Sequence, residues 1–185
     1  TERSDLIEIF QQGEFEYELC AVKYVDKVNG TKYHSPSDED YKAIRKAEEK
    51  IESDLDLSTL LREDRYLGYY DRAGPYGITQ WRDLFSPRQL LAHAKYLSAF
   101  EEVKSEVQET YSQEKSESIL VLLSLIGTRL VDHNSRLVPI HARFGYVADM
   151  LGNNNFTFQW HFGETNPLAG GKSYGRWKNH ITENY

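Results

Sequence analysis

One cysteine, one methionine and five prolines are all that the 185 residues hold of these types. A single thiol, Cys20, forms no internal disulfide and no thiolate zinc cage. Its isolation fits a reducing, cytoplasmic compartment. No run of about 18 apolar residues occurs, which excludes a membrane-spanning helix and removes a membrane as partner. No signal-peptide pattern opens the sequence. Positive charge is also short, since 22 Lys and Arg stand against 29 Asp and Glu, a net charge of −7. A free-standing nucleic-acid binder shows a basic footprint, so this balance argues against tight autonomous DNA binding. The deficit is local. Residues 1–60 carry 15 acidic and 8 basic side chains, and residues 61–185 carry 14 of each. The chain starts at Thr1 and its one Met is Met150, so it is expected to be a piece of a larger protein.

Apolar residues make up 39 %, enough for one modest core, and Tyr outnumbers Phe by 13 to 8, which suits half-buried, polar-tipped positions. The segment "EFEYELCAVKYV" alternates through Phe15, Tyr17, Leu19 and Ala21, and period two predicts a strand. Asn29-Gly30 then signals a tight hairpin turn, with Thr31 to His34 as the returning arm. Ser37 is placed to cap a helix whose first turn holds Asp38, Glu39 and Asp40, where the helix dipole favours anions. Tyr41, Ile44, Ala47 and Ile51 form its thin apolar stripe. Residues from about Asp54 to Pro75 read as a connector, ordered where "GYYDRAGPYG" mixes Gly, Pro and aromatics.

Ser86, Pro87 and Gln89 form a capping box with proline at the first helical position, and Phe85 and Leu90 are spaced as a hydrophobic staple. They predict a long helix to about Ser112. A second helix, "SESILVLLSLIGTRLVDH", is apolar on most faces and is expected to be the most buried element. Beyond it, "FGYVADMLGNNN" suggests a short helix ended by Gly152, and "FTFQWHF" alternates like a strand through Phe156, Phe158, Trp160 and Phe162. The fold class is therefore α+β, mainly helical: an N-terminal β-hairpin, a long antiparallel helical pair and an irregular aromatic C-terminal segment. An acidic hairpin-plus-helix arm would cover 1–60 and a helical core 61–185, with one continuous domain as the alternative.

Candidate chemistry is sparse. Histidines 34, 93, 133, 141, 161 and 180 show no metal-ligand spacing, and no Ser or Cys sits on a nucleophile elbow. "LAGGKSYG" imitates a phosphate loop, but Asn166 stands where its first Gly belongs. In "YGITQWRDLFSPRQLL" the cap explains Ser86, Pro87 and Gln89, leaving Trp81, Arg82, Asp83 and Arg88. An Asp83–Arg pair packed beside Trp81 would lock a corner, and the same residue types grip phosphate and stack a base. Lys172, Arg176 and Lys178 add a locally basic tail. "ETNPLAGG" shares Asn-Pro with the Asn-Pro-Pro-aromatic motif of amino-methylating enzymes, but Leu168 and Ala169 replace its second half. A turn capped by Asn166 is the competing reading.

"YGITQWRDLFSPRQLLAHAKYLS", "DHNSRLVPIHARFG" and "FTFQWHFGETNPLAGGKSYGRWK" occur here in the order and spacing found in a family of large adenine-specific DNA methyltransferases. The chain resembles the middle region of such enzymes, which carry an N-terminal domain of unknown function and often a zinc-ribbon insert. Tyr76 to Leu91 carries the densest match, and Trp160, Phe162, Glu164, Asn166 and Pro167 match a second segment. The resemblance implies a parent that uses S-adenosylmethionine to methylate adenine in DNA. Its Asp-Pro-Phe-x-Gly-x-Gly cofactor loop and Asp-Pro-Pro-Tyr base-holding motif are not in this sequence, so no cofactor and no catalytic residue is expected in this fragment. Its partners would be DNA, through the parent, and the remaining domains of the same chain. Trp81, Arg82, Arg88, Lys172, Arg176 and Lys178 are the candidate DNA contacts; Asp83, Ser86, Gln89, Trp160, Glu164, Asn166 and Pro167 are the structural motif. A docking module of a modification or defence system is the alternative, and it predicts an exposed apolar patch instead.

Overall fold

The computed structural model describes residues 3–26, 30–54, 72–141, 146–152 and 157–168. Within them the chain is a mainly helical α+β structure. Helix α1 spans Arg3–Gln12, strand β1 Val22–Asp26, strand β2 Gly30–His34, helix α2 Asp38–Ser53, helix α3 Pro87–Thr110 and helix α4 Gln113–His133. Two short strands follow, β3 over Ile140–His141 and β4 over Tyr146–Val147, and two 3-10 turns cover Gly74–Tyr76 and Trp81–Leu84. No helix among the described residues is long and apolar enough to cross a membrane.

The hairpin forms with Asp26 opposite Gly30 and Val22 opposite His34, so the returning arm is in place but starts one residue earlier, and Gly30 stands in the ladder and not in a two-residue turn with Asn29. Its first strand begins later than the alternation suggested, because residues 14–21 form no ladder. Phe15 and Tyr17 do point the same way, but into an aromatic cluster. Phe15 packs on Phe10 of α1 at 4.4 Å between centroids, and Tyr17 meets Phe162 edge-on at 5.5 Å. Helix α1 was not marked by the sequence reading. It is seated by Phe10, whose ring also meets Tyr76 and Phe158. Gly77 ends the first 3-10 turn at φ +83°, directly behind this helix; a Cβ there would lie 3.2 Å from the Phe10 carbonyl oxygen. Glycine is the residue that takes this left-handed backbone without strain.

Helix α2 starts as expected. Ser37 Oγ accepts from the Asp40 amide and the Asp40 carboxylate accepts from the Ser37 amide. The helix end carrying buried Ile51 packs against Leu90 and Ala94 of α3, with Phe85 and Leu91 at the edge. The acidic arm is thus bound to the helical core at both α1 and α2.

Helices α3 and α4 form the antiparallel pair. The Ser116 hydroxyl near the start of α4 donates to the Val107 carbonyl near the end of α3 at 3.0 Å. At the other end Tyr96 donates to the Leu123 carbonyl and packs on Ile126 and Leu130. Helix α4 is less buried than its composition suggested. Val121 is 58 % exposed and Leu125 45 %. Only the face bearing Leu123, Ile126 and Leu130 has a helix to pack on, and the apolar residues behind it stay open to solvent among the described residues.

Two further expectations are corrected. Tyr146 and Val147 pair with His141 and Ile140 as a strand, and residues 148–152 turn rather than coil into a helix. The reason is local capture: the Asp132 carbonyl takes the Met150 amide at 2.7 Å, and the Asp132 carboxylate takes the Leu151 amide at 2.7 Å. Neither amide is left for a helical bond. Residues 157–168 form no strand despite their alternation. Their aromatic side pays off as packing instead, with Phe158 stacked on Tyr76 at 4.5 Å and Trp160 edge-on to Phe158 at 5.3 Å. The connector from 55 to 71 and the turn residues 27–29 lie outside the described residues, as does Phe156.

Candidate functional site

The Trp81–Leu84 turn begins with a self-contained lock. The Asp83 carboxylate accepts from the Gln80 amide at 2.8 Å, the Thr79 amide at 2.9 Å and the Thr79 hydroxyl at 3.3 Å. It therefore holds backbone N–H groups, not Arg82 or Arg88 as the sequence suggested. Three short-range donors were closer at hand than any guanidinium. The Trp81 ring is exposed, and Arg82 beside it is exposed as well.

Helix α3 starts two residues later with the expected box. Ser86 Oγ accepts from the Gln89 amide at 3.3 Å, and Gln89 Oε1 accepts from the Ser86 amide at 2.9 Å. Both side chains also have a second bond, to the far segment of the resemblance. The Ser86 hydroxyl donates to Glu164, and Gln89 Nε2 donates to the Gly163 carbonyl at 3.3 Å. Arg88 closes the joint with a 2.6 Å ion pair to the other Glu164 oxygen. The pair is partly desolvated, which makes it stronger than a surface bridge. Asp40, at the start of α2, also feels the field of Arg88, although its carboxyl is lowered first by its bonds to Ser37. The start of α2, in the acidic arm, therefore lies near Arg88.

The third segment of the resemblance supplies the centre. Asp132, His133, Asn134 and Ser135 are a buried polar run at the end of α4, followed by Arg136. Buried polar groups are tolerated only when bonded, and these reach other stretches of chain, Asp132, His133 and Ser135 toward residues 149–151 and Asn134 toward Thr165 and His93. Asp132 holds the Met150 and Leu151 amides and the Arg129 guanidinium, the last at 2.8 Å. Asn134 Oδ1 accepts from the Thr165 amide at 3.0 Å, and its carbonyl accepts from His93 Nε2 at 2.9 Å. Ser135 Oγ accepts from the Leu137 amide and donates to Met150 sulfur. The Arg136 amide donates to the Leu84 carbonyl at 2.7 Å, and its guanidinium lies over the Tyr17 ring, 4.4 Å from the centroid.

Burial sets the protonation of this junction. Desolvation pushes the His93 imidazole below its ordinary value of 6.5, against the opposing bond to Asn134. His93 is thus neutral, with its proton on Nε2. Burial raises the Tyr17 hydroxyl, and Arg136 opposes that shift. Burial also lowers Arg136, offset by Tyr17, Asp83 and Glu164.

Asp132, His133 and Asp149 bring three potential metal-ligand atoms within 4.8 Å of one another. The arrangement does not fit a metal. Both Asp132 oxygens are engaged by Arg129 and the Leu151 amide. The 2.5 Å separation of His133 Nε2 and Asp149 Oδ1 is too small to hold an ion bonded at about 2.0–2.2 Å to each.

Of the residues singled out in the sequence, Ser86, Gln89, Arg88 and Glu164 meet at one joint, and Asp83 backs it. Asn166 accepts the Leu168 amide at 2.9 Å, a local turn of the kind Asn favours, with Pro167 inside it. Trp160 is 64 % exposed on an aromatic base. Lys172, Arg176 and Lys178 lie outside the described residues. Tyr17, His93, His133 and Arg136 were given no site role by the sequence reading. The available signal was the string "DHNSR", where an apolar helix ends in five consecutive polar residues. The chain matches no protein-family model, no curated protein and no solved structure.

Proposed function

We propose that the chain is the middle region of an S-adenosylmethionine-dependent DNA adenine methyltransferase, in which it shapes the DNA path or recognises the target. One observation carries this reading. The three segments on which the resemblance rests, distant in sequence, meet at a single polar junction around Ser86, Glu164 and Asn134. Trp81 and Arg82 stand exposed on the turn that leads into it, and these two are the preferred DNA contacts. Arg88 is assigned to the joint instead, because Glu164 already neutralises it. The cofactor and the reacting base would be held by the remaining domains of the parent.

The test is low-salt fluorescence anisotropy of the chain with duplex DNA, alongside thermal melting. Weak binding that falls steeply with salt is expected, since phosphate contacts release counterions. Arg82→Ala should lower affinity and leave melting unchanged; Arg88→Ala should lower the melting temperature. No S-adenosylmethionine binding is expected by calorimetry. Micromolar cofactor binding, or DNA affinity indifferent to Arg82, overturns the proposal.

A second reading, docking onto partner domains, draws on Val121 and Leu125, which are one helical turn apart and exposed on α4. Under it, the chain is a non-catalytic module that docks partner subunits of a modification or defence system, and Val121→Glu with Leu125→Glu abolishes that association and spares the melting temperature.

A further inference from the structure

His133 is fully buried, and both of its ring nitrogens face an oxygen. Nδ1 lies 3.0 Å from the Arg129 carbonyl, and Nε2 lies 2.5 Å from Asp149 Oδ1. A carbonyl oxygen only accepts, so Nδ1 carries a hydrogen. A neutral imidazole has no second one, and its Nε2 lone pair would then point at a carboxylate oxygen. Two acceptors at that separation repel. A hydrogen on the line between them converts the repulsion into a short charge-assisted bond. A divalent cation is excluded by the same distance.

We infer that His133 and Asp149 share a proton and act as a pH-released latch that fixes residues 149–151 to the end of α4. The groups facing His133 agree with this charge. Asp132 on its own helix lies 3.6 Å from Nδ1, and Arg129, which carries the opposing charge, is turned onto Asp132. Asp149 faces it from the turn after β4. His93 bonds the Asn134 carbonyl, and burial lowers it below its ordinary value.

The latch has something to hold. The turn it fixes also presents the Met150 and Leu151 amides to Asp132, and Val147 just before it fills the space beside Gly163. Gly163 and Glu164 are the acceptors of Gln89 and Arg88. Loss of the shared proton loosens the turn first and the Glu164 joint second, which frees Arg88. Burial of the ring favours its neutral form and the facing Asp149 carboxylate favours the charged one, so the latch is closed on the acid side of the His133 titration and released as pH rises through it. The inference rests on the geometry of the turn and stands whether or not the chain serves a methyltransferase.

The experiment is 15N-detected histidine NMR on the 185-residue chain from pH 6 to 10, with hydrogen-exchange protection factors at Met150 and Leu151. His133 is expected to carry both ring protons at pH 7. Protection at Met150 and Leu151 should fall with the His133 titration. Asp149→Asn, at a half-exposed position, should move that titration down by about one unit and cut protection about tenfold. Zinc added alone should leave the His133 signals in place. A neutral His133 at pH 7, a titration unchanged by Asp149→Asn, or zinc-dependent loss of the Nε2 proton each overturns the latch.

Discussion

Arg136 lies over the Tyr17 ring, with its guanidinium carbon 4.4 Å from the ring centroid. The contact fastens the segment after the N-terminal helix to the residue that follows the buried polar run. A guanidinium on an aromatic face contributes about 0.5–2 kcal/mol, depending on desolvation, and both partners here are partly buried. A double-mutant cycle with Tyr17→Leu and Arg136→Met should give a coupling in that range by urea unfolding. Strict additivity of the two substitutions would remove the pair as a fastening.

Ser86→Ala should destabilise by about 0.5–2 kcal/mol through loss of the helix cap. It should reach the upper part of that range, because the same hydroxyl donates to Glu164. Glu164→Gln alone should cost less, and the double variant less than the sum, since the two share one bond. Denaturant midpoints for the three variants check this, and equal costs for capping alone would show the Glu164 bond to be idle.

Gly127 sits inside α4, where alanine would ordinarily favour the helix by about 1 kcal/mol. Here a Cβ would meet the Tyr96 ring at 2.5 Å. That ring is anchored by its hydroxyl on the Leu123 carbonyl, so it yields only by breaking the bond. Gly127→Ala is therefore expected to destabilise by about 1–3 kcal/mol, the usual cost of overpacking. Thermal melting of Gly127→Ala beside Gly127→Ala with Tyr96→Leu separates the two effects, since removing the ring should restore the helix gain.

Acidification should weaken the fold through His93. Its folded value is lowered by burial, so below the unfolded value of 6.5 the unfolded chain binds more protons. Stability from this residue is complete above 6.5 and is lost as pH falls toward the folded value, with a slope approaching about 1.4 kcal/mol per pH unit. His93→Gln keeps an N–H for the Asn134 carbonyl and removes the titration. Its stability should be flatter between pH 6.5 and 5 than that of the parent chain, measured by urea midpoints at each pH.

The elements with local punctuation were legible in the sequence. Ser37 and Ser86 announce their helices by capping chemistry, and the hairpin was expected at the right place although Gly30 pairs in the ladder and does not form the two-residue turn. Tertiary bonds decided the rest. Asp132 takes the amides that a helix over residues 149–152 would need, and the aromatic alternation from Phe158 to Phe162 is spent on Phe10, Tyr76 and Tyr17 without a partner strand. For the candidate site, capping chemistry and residue type singled out Ser86, Gln89 and Arg88, and the resemblance added Glu164, but Asp83 was paired with the wrong group. A carboxylate near two arginines gives no hint that three donors of its own turn will outcompete them. The histidines were read for metal spacing, and a helix end that binds four other segments has no spacing rule to reveal it.

The run from Asp132 to Arg136 has a consequence for how the gene tolerates change. Its successive side chains and amides address, in order, the 149–151 turn, Asp149, Thr165, Met150 and the Leu84 carbonyl. One inserted or deleted residue there would misdirect every one of those bonds at once, whatever its identity. The opposite end of the helical pair, at exposed Tyr111 and Ser112, makes only bonds between neighbouring turns of α3 and α4. A fluorescent protein or affinity tag spliced into that end, on a linker, would ride on the molecule without reading out of frame.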